Sequence, residues 1–138
     1  MRNKPCLTTD DVQRVVAAAK KHAAKLKREP TIAVVDEGGH LLYLERPDVN
    51  GVNTVDMSTA KARTAALRGR PSGAFGKRVR ERPEFLMSPN YLGVEGGYPL
   101  LFDDDCVGGI GVSGIDRDDE PVAEAGAAGF EPPKAKKK

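Results

Sequence analysis

Thr31-Ile-Ala-Val-Val-Asp-Glu-Gly-Gly-His-Leu-Leu-Tyr-Leu-Glu45 is the stretch on which the fold turns. Thr31 to Asp36 is short, apolar and rich in β-branched residues, and Leu41 to Glu45 is a second run of strand length. Between them Glu37-Gly38-Gly39-His40 supplies residues that tolerate positive φ, so the segment reads as a β-hairpin. Asp36 is an acid ending an apolar strand. Its carboxylate either caps the Gly-Gly turn through backbone N–H groups or, buried without such donors, has a raised pKa and serves as an acid or base.

Before the hairpin, Thr8-Thr9-Asp10-Asp11 is a helix start, a Thr cap with an acid three residues on. The helix predicted from Asp10 to Lys27 places Val12, Val15, Val16, Ala19, Ala23 and Leu26 at helical spacing, with lysines on its other side. After the hairpin a second helix is predicted from Val55 to Arg68, with Met57, Ala60, Thr64 and Leu67 as its apolar stripe and Asn53, Thr54 or Asp56 as its cap. A short helix near Phe75 to Arg82 interrupts a long excursion rich in Gly, Pro and basic residues. Three strands are expected at Leu92–Glu95, Tyr98–Phe102 and Cys106–Ser113, then a last helix from Asp118 to Gly129. No strand-helix-strand unit repeats in this order. It predicts an α+β layering, with an antiparallel sheet and helices to its side.

The chain of 138 residues is long enough for one domain, expected over 1–130, and with aromatics at 5% its core must be aliphatic. Residues 131–138 carry four lysines and one glutamate and read as a disordered basic tail. Since the whole chain is only +2, the body is slightly acidic, which argues against nucleic-acid binding. Cys6 and Cys106 lie far apart and read as free thiols of a reducing compartment. With no apolar run of membrane-spanning length and no signal-peptide core, a cytoplasmic protein without membrane contact is expected.

Four blocks, Ala33–Leu42, Ser58–Ala65, Gly96-Gly-Tyr-Pro-Leu100 and Val107-Gly-Gly-Ile-Gly-Val-Ser-Gly114, precede an acidic helix start at Asp118-Asp119-Glu120. In order and spacing they resemble the haem-degrading family of HbpS-like and GlcG-like proteins, also seen as the C-terminal domain of PduO-type proteins. The resemblance covers about Leu7 to Phe130. It implies a profilin-like fold with an antiparallel five-stranded sheet flanked by helices, assembly into homo-oligomers, and haem or a related tetrapyrrole as ligand. Function on such a scaffold has to be argued from the site.

Haem iron takes a His, Cys, Met or Tyr ligand, and His22 and His40 are the two histidines of the chain. His22 borders the buried stripe of the first helix, as a packing or interface residue or as an axial ligand. His40 follows the glycine turn, where it bonds locally or points into a pocket between subunits. Lys61 and Arg63, two apart on one helix, cannot share a face, so at most one meets an anionic ligand such as a propionate. Gly96 and Gly97 serve close packing or form a pocket wall. Two classes of function fit. One is a small-ligand-binding protein that takes haem. The other is an isomerase, tautomerase or hydrolase of a small carboxylated catabolite, in which Lys61 or Arg63 holds the carboxylate and Asp36 or His40 moves a proton.

Overall fold

A computed structural model describes residues 1–130; the expected basic tail lies outside the described residues. In chain order the elements are α1 (Thr9–Lys25), β1 (Thr31–Asp36), β2 (Leu41–Glu45), α2 (Asn53–Arg68), α3 (Ser72–Glu81), β3 (Gly97–Phe102), β4 (Asp105–Ser113) and α4 (Asp119–Ala128). A short 3₁₀ turn, Pro83–Met87, follows α3. The four strands form one antiparallel sheet in the order β2-β1-β4-β3. The α+β layering expected from the sequence is therefore present, with α1 and α4 on one face of the sheet and α2 on the other.

β1 runs through the middle of the sheet, which is why it is apolar at every position but its ends. Ile32 and Val34 join Val12, Val15 and Ala19 of α1 and Val122 of α4 in the larger core. Ala33 and Val35 point the other way, onto Ala62 and Ala66 of α2. α1 begins as expected, with a capping box in which the Thr8 side chain accepts from the Asp11 N–H and Asp11 accepts from the Thr8 N–H. α2 starts two residues earlier than expected, and Val52 at its cap position makes no side-chain bond. Thr54, a candidate cap, instead spends its hydroxyl on Gly51 O and Thr31 Oγ1.

The sheet has four strands, not five. The expected strand at Leu92–Glu95 does not form, because its backbone is engaged by helices rather than by a neighbouring strand. The Leu92 N–H donates to Thr64 Oγ1 at 2.7 Å, and Val94 O accepts from the Ser72 hydroxyl at 2.6 Å. Gly93 lies against the backbone of Gly76 so closely that a Cβ there would sit 2.5 Å from it.

The glycines of β3 and β4 set the distance between α2 and the sheet. A Cβ on Gly111 would lie 1.9 Å from Ser58 O, and one on Gly97 would lie 2.2 Å from Lys61 O. The helix backbone therefore rests directly on the strand backbone. The sequence admitted close approach at these glycines, but between strands; the partner is a helix. This changes which face of α2 is inside. The buried residues are Thr54, Ser58, Lys61, Ala62, Thr64, Ala65 and Ala66, whereas Leu67, assigned to the apolar stripe, is exposed. Against bare glycine backbone only small side chains fit, so the larger apolar residues are turned away.

Candidate functional site

Lys61 lies on the sheet-facing side of α2 and is 1% exposed. Its ammonium donates to Val112 O at 2.9 Å and to Asp119 Oδ2 at 3.1 Å. Asp119, at the start of α4, also accepts the Ile115 N–H through Oδ1. Burial pushes the Asp119 carboxyl above its usual range, and the Lys61 ammonium beside it offsets part of that rise. Gly96, at φ +128, and Gly97 lie over this pair; a Cβ on Gly96 would meet Lys61 Nζ at 3.0 Å. The two glycines thus roof a lysine that clamps α2 to α4. Asp119 could not be recognised as its partner from local patterning, because the two are 58 positions apart.

Near this clamp Glu120 carries a raised pKa, from partial burial first and then from Glu95 and Glu124. A carboxyl with a raised folded-state pKa holds its proton longer folded than unfolded. Its contribution to stability is therefore complete below the ordinary carboxylate value and is lost as pH rises through the raised one. Glu120→Gln is expected to raise the melting temperature at pH 7 by about 1–3 °C, a small effect at a partly solvated site, and to leave it unchanged near pH 4. Thermal denaturation at both pH values checks this.

The hairpin turn gathers three of the residues singled out in the sequence. Asp36 Oδ1 accepts the N–H groups of Gly38 and His40, each at 2.9 Å. Gly39 takes φ +83, a conformation suited to glycine, and the Arg63 side chain packs on it, with Nε 3.2 Å from where a Cβ would be. The His40 ring leans over Gly38 and reaches solvent. Beyond it the edge strand β2 exposes Leu41, Leu42 and Leu44. Leu41 and Leu44 pair with Val35 and Ala33 and share their face, but lie beyond the cover of α2.

On its outer side α2 presents Asp56, Thr59, Ala60 and Arg63, spaced i, i+3, i+4 and i+7 and so on one face. With Asn90, Tyr91 and Leu92 they line a cleft of about 330 Å³. Asp56, Thr59 and Tyr91 were not recognised as site residues from the sequence, although the helical spacing from Asp56 to Arg63 was there to be read.

His22 is half-buried on α1, one turn beyond Ala18 and Ala19, which pack on Gly129 and Gly126 of α4. A larger cavity, about 570 Å³, opens between Cys6, Leu7, Arg14, Phe102 and Phe130, with Asp10 and Asp11 on its rim. Neither histidine lines it, and its acids oppose a dianionic ligand. His22, the His40 turn and the buried Lys61 therefore occupy three separate places. Asp36, whose Oδ1 is taken up by the turn, and Lys61, beneath α2, do not converge with His40 on a shared cavity.

Comparison with known proteins matches the family model described as haem degrading protein HbpS-like to residues 7–128. The chain belongs to the HbpS-like haem-degrading family. Protein GlcG of Escherichia coli strain K12 is 37% identical over 114 residues, spanning 82% of this chain and 85% of that protein. The crystal structure of HbpS superposes with a TM-score of 0.88 at 32% identity, covering 95% of this chain and 94% of that one. A PduOC–haem complex, at 22% identity and TM-score 0.81 over 92% of this chain and 96% of that one, shares the fold. The layered architecture is thus shared with HbpS at 32% identity and with the PduOC chain at 22%. No helix among the described residues is long and apolar enough to cross a membrane.

Proposed function

We propose that the chain binds haem or a related tetrapyrrole as a homo-oligomer, with the ring laid on the β2 edge and His40 at the iron. The carrying observation is an exposed imidazole beside two exposed leucines, Leu41 and Leu44, on one face of an unpaired sheet edge. An apolar macrocycle with a metal centre needs that combination, a flat apolar surface and one nitrogen donor. Membership of a family named for haem degradation supports the reading, as does the shared fold with the PduOC–haem complex. One chain offers a surface for a single face of the ring. A second copy of the chain is the natural cover for the other face, which accounts for the two leucines being bare. His22, at the α1–α4 seam, is the other available imidazole. Bound haem would supply a redox-active iron; the chain supplies the donor and the apolar bed.

Haemin titration of the purified chain is expected to give a sharp, saturable Soret shift. His40→Ala should abolish it, while His22→Ala should leave it in place. Loss with His22→Ala alone would move the iron to the α1–α4 seam. A broad spectrum insensitive to both substitutions would overturn the haem reading.

A further inference from the structure

We propose that the cleft on the outer face of α2 is a second binding site, for a small carboxylic acid that carries a hydroxyl or ammonium group next to its carboxylate. It goes beyond the haem reading and uses none of the residues assigned to it.

Arg63 is the centre of the case. Its Nε is shut off from water and has no hydrogen-bond partner among the described residues. Five ion pairs form among those residues and none includes Arg63. That nitrogen is closed off against Gly39, but the residue as a whole is only partly buried and lines the cleft, so its charge is left for a ligand to meet. The stem cannot swing away freely, because it is wedged against Gly39 in the hairpin turn. A planar fork held in place at a cleft is the arrangement that receives a carboxylate through two parallel hydrogen bonds.

The opposite wall is equally fixed. Leu92 is bonded to Thr64 through its N–H, and the Tyr91 ring packs edge-on against Phe75, centroids 5.2 Å apart. Asp56 shares the cleft with Arg63 but forms no ion pair with it among the described residues. That carboxylate repels a dianion and attracts a donor group, which Thr59 can also meet. About 330 Å³ accommodates an acid of a few carbons, since one water takes about 30 Å³, and it is far too small for a tetrapyrrole.

The test is an NMR titration of the haem-free full chain with lactate, alanine and propionate, read at the backbone amides. Lactate or alanine is expected to shift the amides of Thr59, Ala60, Arg63 and Tyr91 saturably, and propionate to bind at least about fivefold more weakly. Arg63→Gln and Arg63→Lys should each weaken binding about tenfold or more. The lysine variant keeps the charge and the packing stem, so a loss there with an unchanged melting temperature separates recognition by the fork from misfolding. Asp56→Asn should weaken alanine most if the ammonium is the preferred donor, and lactate most if the hydroxyl is. Absence of saturable shifts in the cleft with all three acids, or binding unaltered in both Arg63 variants, would overturn the proposal.

Discussion

Lys61→Ala is expected to destabilise the folded chain by about 3–5 kcal/mol, the usual result of removing one partner from a buried ion pair. In melting temperature that is a fall of roughly 10–20 °C for a domain of this size. The loss comes from what remains. Asp119 is left buried with only the Ile115 N–H to satisfy it, and Val112 O loses its side-chain donor. The effect should depend on pH. Without the ammonium the Asp119 pKa rises further, so the destabilisation should shrink as pH falls toward 4 and the carboxyl takes up a proton. A double variant, Lys61→Met with Asp119→Asn, removes both charges, keeps the acceptor for Ile115, and should recover much of the loss. Denaturant unfolding across pH 4–8 measures all three. An Ala variant as stable as the parent at pH 7 would show that the clamp is not closed in solution.

Gly111→Ala should be as severe, costing about 3 kcal/mol or more. The added methyl would stand 1.9 Å from Ser58 O, and the obstacle is helix backbone, which cannot rotate aside as a side chain can. Overpacking of a tight core typically costs 1–3 kcal/mol when side chains can adjust, and more when whole elements must separate. Lifting α2 would also pull Lys61 from Asp119, so the Lys61→Ala and Gly111→Ala losses should be less than additive when combined. Single and double variants in one unfolding series check this.

How much of this was legible in the sequence depends on which physical signal each part uses. The hairpin, the Thr8–Asp11 capping box and the existence of four helices come from local chemistry, and local chemistry is written in neighbouring residues. The Leu92–Glu95 strand failed because its composition suited a strand while its hydrogen bonds were claimed by Thr64 and Ser72, residues far away in sequence. The inner face of α2 was misread for a related reason. Periodicity weighs hydrophobicity, yet this helix buries what is small, and the reason for that lies on β4 and β3. Arg63 was visible as one of two cations, with Lys61, that could hold a carboxylate. Its cleft was not, because Tyr91 and Leu92 reach it from a segment some thirty positions away.

α2 is in effect two helices on one axis. Ser58, Ala62 and Ala66 answer to the glycines beneath them and can hardly change without loosening the sheet. Asp56, Thr59, Ala60 and Arg63, on the other side, touch none of that contact. Exchanging them should alter what the cleft accepts while the architecture stays the same. A scaffold divided this way can be retuned to new ligands one residue at a time, with no accompanying repair of the core.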